Sequence, residues 1–163
     1  MKSAVYLSLG ANLGDRERNL QEAIGRLKAL GTVLAISGFY ETEPVEIEGE
    51  QPWFLNCAVR LETELSPESL LAGTLALEQS MGRRRSGVRS ARQIDIDILY
   101  FDGLVLSTPN LTIPHPGIPR RKFVLAPLVE IAPYFRDPVT KQTAAEMLAS
   151  LPTDGPIMRK WPG

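Results

Sequence analysis

The chain has 163 residues, of which 44% are hydrophobic and 23% charged, and its formal net charge at pH 7 is −1. These values predict one globular domain over residues 1–163, and the near-zero charge gives no overall attraction for nucleic acid or membranes. The single cysteine, Cys57, excludes an internal disulfide, and no segment is apolar over the length that a membrane span requires. We therefore expect a cytoplasmic protein with a reduced, buried thiol. We also expect a monomer.

The first half of the chain predicts one helix and three strands. Residues 3–9 are an apolar strand, and the turn and cap residues that follow it open a helix over 15–30. A second strand covers 32–41 and a third covers 53–63. Between them, the segment 43–52 contains prolines and a glycine that prevent regular structure, so we expect a long loop there.

The second half predicts another helix, a fourth strand and a helical end. A helix begins at the cap residue Ser66, with a proline and an acidic residue in its first turn, and runs to about Met81. An arginine-rich segment then precedes a strand within residues 92–101. Short helical turns are expected at 119–135 and a last helix at 141–150.

The resulting order of elements is β-α-β-β-α-β followed by a helical extension. This order is typical of an α+β, ferredoxin-like sandwich with an antiparallel sheet and helices on one face. Because many functions share this fold, the function must be argued from particular residues.

The fourth strand carries two acidic residues in the sequence I-D-I-D-I. Residues alternate between the faces of a strand, so Asp95 and Asp97 lie on one face and the isoleucines on the other. At about 6.6 Å between their Cα atoms, two such charges repel by about 2–3 kcal/mol at an effective dielectric near 20. Either the pair is solvated on an exposed face, or it binds Mg²⁺ together with the phosphates of a substrate.

Five arginines lie just before the acidic strand: Arg83, Arg84, Arg85, Arg89 and Arg92. Such a run is often a solvated surface, but the guanidinium group also binds phosphate oxygens with two hydrogen bonds. Carboxylates that bind metal and a loop of arginines together suit a polyphosphate substrate. The sequence has no G-x-x-x-x-G-K-[ST] motif, which excludes a P-loop.

Three further features have both a structural and a functional interpretation. His115, the only histidine, lies between two prolines and precedes a basic run, so it is either a structural hydrogen-bonding group or a phosphate contact. Phe54 and Phe123 have polar or charged neighbours, and each alone is a candidate core residue. Together they could enclose a flat heterocycle, with the amide of Asn56 hydrogen-bonded to its edge.

In this combination the sequence resembles the 6-hydroxymethyl-7,8-dihydropterin pyrophosphokinase family of folate biosynthesis. The resemblance covers nearly the whole chain and is carried, in order, by L-G-A-N-L-G-D, Y-E-T-E-P-V, Q-P-W-F-L-N, R-Q-I-D-I-D-I-L-Y-F, L-T-I-P-H-P and K-F-V-L-A-P-L-V-E-I-A-P. It implies transfer of a pyrophosphoryl group from ATP to the hydroxymethyl group of the reduced pterin, with release of AMP. It also implies two Mg²⁺ ions held by Asp95 and Asp97.

The resemblance assigns roles to further residues by position. The residues expected to act in catalysis are Arg83, Arg92, Asp95 and Asp97. Those expected to bind ATP are Glu78, Arg85, Ile98, Thr112, His115 and Arg121. Those expected to bind the pterin are Thr42, Pro44, Val45, Phe54, Asn56 and Phe123.

The chain departs from the family pattern at several positions. R-S-A-R stands where many members have W-G-P-R, Glu43 replaces a common proline, and Leu75 occupies a position where some members have a polar nucleotide contact. Two other functions use some of the same features. One is an RNA-binding module, which shares the order of elements, and the other is a metal-dependent nuclease or nucleotidyl transferase, which would use the same acids.

Overall fold

A computed structural model describes residues 1–43, 52–82, 93–153 and 155–162 of the protein. In chain order its strands are β1 Ser3–Ala11, β2 Thr32–Ile36, β3 Tyr40–Thr42, β4 Phe54–Thr63, β5 Asp95–Phe101, β6 Leu106–Ser107, β7 Thr112–Ile113 and β8 Met158–Lys160. Strands β6 and β7 form a separate two-stranded sheet, and the others form one six-stranded sheet in the order β5-β1-β4-β3-β8, with β2 also paired to β4. All pairs in the large sheet are antiparallel, as predicted.

Strands β2 and β3 lie end to end along β4, so the predicted strand over 32–41 is interrupted. At the break, the N–H of Ser37 donates to the carbonyl of Ala58, and the Ser37 hydroxyl accepts the N–H of the same alanine at 2.8 Å. The next N–H, that of Gly38, donates to the Glu130 carboxylate at 2.8 Å. The interruption is therefore stabilised by side chains, one of them distant in sequence, which local periodicity does not reveal.

Two helices cover one face of the sheet. Helix α1 spans Arg16–Arg26 and α2 spans Pro67–Ser80. Asp15, the last of the turn and cap residues expected at 12–15, and the predicted cap Ser66 each accept a backbone N–H of the first turn. A short 3-10 helix, Leu27–Ala29, continues α1. Both caps are confirmed. The core beneath these helices includes Val5, Leu7, Leu9, Leu20, Leu27, Leu55, Cys57, Leu61, Leu70, Ile96 and Ile98.

The C-terminal helices form a layer on the opposite face. Helix α3 spans Lys122–Ile131 and α4 spans Ala144–Ala149, and their apolar residues belong to a second core. That core contains Tyr6, Leu99, Tyr100, Ile118, Val124, Leu125, Leu128, Ala132, Ala144 and Met147. The two helices of the expected sandwich, α1 and α2, thus lie on one face, and the C-terminal extension covers the other. The sequence predicted only short helical turns at 119–135, whereas α3 is one continuous helix. It continues through Pro127 because the residues around that proline are buried.

Strand β8 has no counterpart among the predicted elements. It pairs with β3, and its sequence M-R-K shows no alternation of apolar and polar residues. A strand of three residues at a sheet edge gives too weak a pattern for recognition from sequence. Among the helices of the described residues, we find none with the length and apolar character needed to cross a lipid bilayer.

Two glycines near the end of α1 test how closely the chain approaches β4 at the start of β2. A Cβ at Gly31 would lie 2.2 Å from the backbone carbonyl oxygen of Glu62, whereas a Cβ at Gly25 meets nothing within 4 Å. We expect Gly31→Ala to lower the free energy of unfolding by about 2 kcal/mol or more, because the backbone must move. Gly25→Ala should raise it by about 0.5–1 kcal/mol, since alanine favours the helix.

Urea denaturation of both variants measures these changes. Equal stability of the two variants would show that β2 and β4 do not approach as closely as described.

Candidate functional site

The register of three adjacent strands, β5, β1 and β4, brings the predicted site residues together on one face. Asp95 of β5 pairs with Gly10 of β1, which pairs in turn with Asn56 of β4. Asp97 pairs with Ser8 in the next row of the same face. With neighbouring strands about 4.8 Å apart, the Cα atoms of Asp95 and Asn56 are separated by roughly 10 Å. A ligand of moderate size can therefore contact both.

The predicted alternation of β5 is confirmed where it matters. Ile94, Ile96 and Ile98 are at most 6% exposed, while Asp95 and Asp97 on the other face are half-buried. The described residues contain no group of three or more His, Cys, Asp or Glu side chains that could hold a metal ion. Two carboxylates on one pleat nevertheless fit Mg²⁺, which commonly takes one or two protein carboxylates and completes its shell with water and substrate phosphate oxygens.

His115 lies beside the acidic pair in a fixed orientation. Its backbone N–H donates to the carbonyl of Leu99 at 3.0 Å, which attaches the segment to the edge of β5. Its Nδ1 accepts the N–H of Gly117 at 3.0 Å, so the ring proton of the neutral form is on Nε2. That nitrogen lies 3.9 Å from Oδ1 of Asp97.

The surroundings of His115 favour its neutral form. Burial lowers the pKa of its imidazole, the positive charges of Arg121 and Arg120 lower it further, and the carboxylate of Asp95 opposes them. Near neutral pH the ring therefore presents a single N–H donor toward the aspartate face.

Arg121 connects the histidine segment to the start of α3. Its side chain lies directly over Gly117, where an added Cβ would stand 2.7 Å from Nε and 2.8 Å from Cζ. Its guanidinium carbon is also 5.8 Å from the ring centroid of Phe123. Glycine at position 117 is thus needed for the observed path of the arginine. That path places a cation next to an aromatic ring.

Asn56 and Thr42 form the buried polar part of the site. Each is 4% exposed, and Nδ2 of Asn56 donates to Oγ1 of Thr42 at 2.8 Å. A Cβ at Gly10 would lie 2.8 Å from Oδ1 of Asn56 and 3.6 Å from the ring of Phe54. Phe54 is two residues before Asn56 on β4 and half-buried on the same face.

Gly10 is a site residue that we did not predict. From the sequence it only ended a strand, because its importance depends on pairing with two strands that lie far along the chain. The only indication of its role is its position opposite Asn56, which the pairing of β1 with β4 reveals.

Three of the residues predicted to contact a nucleotide differ in burial: Glu78 and Ile98 are buried, and Thr112 is exposed. Glu78 is 2% exposed and its carboxylate accepts the N–H of Ile96 at 2.7 Å, which ties α2 to β5. The side chain of Ile98 lies in the first core, so any nucleotide contact of this residue would involve its backbone. Thr112 is exposed on β7.

A cavity of about 760 Å³ opens between α2 and the segment before β7. It is lined by Glu68, Leu71, Ala72, Leu75, Thr108, Pro109, Asn110 and Leu111. Its size and partly apolar lining suit a small organic group.

Several predicted site residues lie outside the described residues. They are Pro44, Val45, Arg83, Arg85 and Arg92. Their roles stay predictions, and the same holds for the loops that contain them.

Comparison with known proteins supports the resemblance seen in the sequence. The family model of 7,8-dihydro-6-hydroxymethylpterin-pyrophosphokinase (HPPK) matches residues 6–133. The 2-amino-4-hydroxy-6-hydroxymethyldihydropteridine pyrophosphokinase of Bacillus subtilis is 39% identical, over 99% of this chain and 92% of its own. The folic acid synthesis protein FOL1 of Dictyostelium discoideum is 40% identical over 94% of this chain, which spans only 23% of that relative.

Solved structures support the fold. A crystal structure described as HPPK-DHPS in complex with substrates has a TM-score of 0.72 at 16% identity, and the match covers 92% of this chain and 43% of that one. Wild-type Plasmodium falciparum HPPK-DHPS with pteroate gives 0.75 at 16% identity, covering 91% and 44%. At this identity the likeness concerns the fold alone, which agrees with a mixed α and β structure around an antiparallel sheet.

Gly117 offers a test of the phosphate-binding part of the site. We expect Gly117→Ala to weaken binding of a non-hydrolysable ATP analogue by about tenfold, because the new methyl group displaces the Arg121 side chain. Gly103→Ala is the matched control, since a Cβ there meets nothing within 4 Å. Titration calorimetry in the presence of Mg²⁺ measures both affinities. Equal affinity in the two variants would remove Arg121 from the phosphate site.

Proposed function

Since the chain belongs to the 7,8-dihydro-6-hydroxymethylpterin-pyrophosphokinase family, we propose that it transfers a pyrophosphoryl group from ATP to 6-hydroxymethyl-7,8-dihydropterin. The hydroxymethyl oxygen forms a bond to the β-phosphorus, and the bond from that phosphorus to the oxygen bridging to the α-phosphorus breaks. The hydroxyl proton is released, and the products are the pterin diphosphate and AMP. The observation that carries this proposal is the register that sets Asp95 and Asn56 on one face, two strands apart.

Asp95 and Asp97 would hold two Mg²⁺ ions together with the triphosphate of ATP. Bound there, magnesium would neutralise phosphate charge and acidify the pterin hydroxyl. The carboxylates would fix the position of the magnesium charge, because both project from one strand whose other face is packed in the first core. The substrate phosphates would supply the remaining oxygen ligands.

Arg121 and His115 would contact the phosphates from the side of α3. The arginine offers a permanent positive charge, and the neutral histidine donates a single hydrogen bond from Nε2. By positional resemblance, Arg83, Arg85 and Arg92 would add positive charge from the segment between α2 and β5. Arg83 and Arg92 are the two that we assign to the chemical step.

The nucleoside of ATP would occupy the cavity beside α2. Thr112 follows directly on its lining segment, and Glu78 and Ile98 lie where α2 meets β5. In this chain Leu75 lines the cavity, so the contact with the base at that position would be apolar rather than a hydrogen bond.

The pterin would bind between Phe54 and Phe123, with Asn56 at its hydrogen-bonding edge. Thr42 orients the Asn56 amide, leaving the Asn56 carbonyl oxygen next to Gly10 as an acceptor. The backbone at Pro44 and Val45 would complete this edge. Enclosure of both substrates would keep water from competing with the pterin hydroxyl as acceptor.

We also propose a fold class, a domain extent, a cellular location and an oligomeric state. We assign the fold to the ferredoxin-like class, with β2 and β3 together as one interrupted strand, and treat residues 1–163 as one catalytic unit. We also propose a cytoplasmic monomer that acts on small molecules rather than nucleic acid or membranes. Family membership favours this activity over the RNA-binding module and the nuclease considered from the sequence.

The activity is tested by incubating the protein with ATP, Mg²⁺ and 6-hydroxymethyl-7,8-dihydropterin. We expect AMP and the pterin diphosphate in equal amounts, detected by chromatography. Asp95→Asn and Asp97→Asn should each reduce kcat by at least about 10³, because each removes a carboxylate that concentrates positive charge at the transferred group. Asp102→Asn, on the turn after β5, is the matched control.

Formation of ADP, or release of AMP that does not depend on the pterin, would contradict the proposed reaction. Near-normal turnover of either aspartate variant would contradict the metal-binding role.

Gly10 tests the pterin side independently. We expect Gly10→Ala to raise the KM for the pterin by about tenfold or more, because a methyl group 2.8 Å from Oδ1 of Asn56 displaces the amide. The affinity for an ATP analogue should stay within about twofold of wild type. Steady-state kinetics with Gly103→Ala as control measures the difference. A KM for the pterin that stays at the wild-type value would place Asn56 outside the pterin site.

A further inference from the structure

The C-terminal strand lies next to the proposed pterin site but outside residues 6–133, which the family model matches. Its register pairs Arg159 with Glu41 and Met158 with Thr42. Just before the strand, Ile157 exchanges two hydrogen bonds with Glu43, from the Glu43 N–H at 2.9 Å and to its carboxylate at 3.0 Å. The strand is therefore attached along the whole of β3.

Glu41 is the buried centre of an ion-pair network at β3, in which Arg159 is largely exposed. Glu41 itself is 7% exposed. One carboxylate oxygen accepts Nη2 of Arg16 at 2.7 Å, and the other accepts Nε and Nη2 of Arg159 at 2.8 and 2.7 Å. Burial alone would raise the pKa of Glu41, but the hydrogen bonds and charges of the two arginines outweigh it and hold the pKa below its ordinary value.

The same two arginines hold the start of β4. Nη1 of Arg16 donates to the carbonyl of Trp53 at 2.8 Å, and the guanidinium carbon of Arg159 lies 4.8 Å from the Trp53 ring centroid. Arg16 also lies 5.0 Å from the ring of Trp161. The only two tryptophans of the chain are thus both part of this cluster.

The cluster lies behind the pterin-binding face. Glu41 alternates with Thr42 along β3, and Trp53 directly precedes Phe54, so the ion pairs fix the backbone whose other face carries the proposed pterin contacts. Of the proposed nucleotide contacts, those on the large sheet belong to β5, which β1 separates from β4 and β3. Glu78 of α2 is hydrogen-bonded to β5 as well. A change in the Glu41 cluster should therefore affect binding of the pterin more than binding of the nucleotide.

We propose that Glu41 is a positioning residue for the pterin, acting through Arg16 and Arg159 to fix Trp53 and hence the orientation of Phe54 and Asn56. The inference rests on the proposed function. It makes the C-terminal strand, through Arg159, a part of substrate selection rather than only a sheet edge.

The principal test is Glu41→Gln, which keeps the size of the side chain and removes its charge. At saturating ATP we expect the KM for 6-hydroxymethyl-7,8-dihydropterin to rise about tenfold and kcat to stay within about threefold. The Kd of a non-hydrolysable ATP analogue should not change. Glu62→Gln is the matched control, because Glu62 pairs with Lys2 at 3.6 Å at the far end of β4.

Arg159→Leu is a second variant that decides the question if Glu41→Gln does not fold, since the Arg159 side chain is 67% exposed. It should raise the KM for the pterin in the same direction. When both variants fold, the double variant should be no worse than Glu41→Gln alone, because both substitutions break the same Glu41–Arg159 ion pair.

A measurement without substrates separates this inference from the proposed function. In nuclear magnetic resonance spectra of the ligand-free protein, Glu41→Gln or Arg159→Leu should shift the side-chain amide signals of Asn56 as well as the Trp53 indole signal. Glu62→Gln should shift neither. If the wild-type protein forms no pterin diphosphate, the proposed function fails, and the amide shift still tests the positioning.

An unchanged Asn56 amide would overturn the inference whatever the activity. So would a KM for the pterin that stays at the wild-type value, or a loss of ATP-analogue affinity equal to the loss for the pterin.

Discussion

The site depends on the register of β1 between β4 and β5. On one face of these strands Leu7, Leu9, Leu55, Cys57 and Ile96 are buried beneath α1 and α2. Because side chains alternate with a period of two, a shift of one residue would expose this apolar row and bury the polar row opposite. Burial of the first core therefore fixes which face carries Asp95, Gly10 and Asn56.

The second face is shared between packing and chemistry. Near Tyr6 and Tyr100 it is covered by α3 and α4, and toward Gly10 and Asp95 it is polar and half-buried. The start of α3 lies at the boundary, where Arg121 and Phe123 are close to both regions. Thus the helix that completes the second core also brings a cation and an aromatic ring to the site.

The sequence was informative wherever a local pattern determines the outcome. The alternation in β5 predicted the faces of Asp95 and Asp97, and cap chemistry predicted the starts of α1 and α2. It was uninformative where distant residues decide. The break at Ser37 depends on Ala58, Gly10 matters because of Asn56, and β8 exists only as a partner of β3. The roles predicted for Arg83, Arg85 and Arg92 rest on the family pattern alone.

Glu78 has a consequence for the edge of the sheet. Strand β5 is a terminal strand, and an edge with free N–H and carbonyl groups can recruit strands from other molecules. Here the N–H of Ile96 is occupied by the Glu78 carboxylate, and the carbonyl of Leu99 by the N–H of His115. Intramolecular groups thus occupy both positions, so neither can pair with a strand of another molecule.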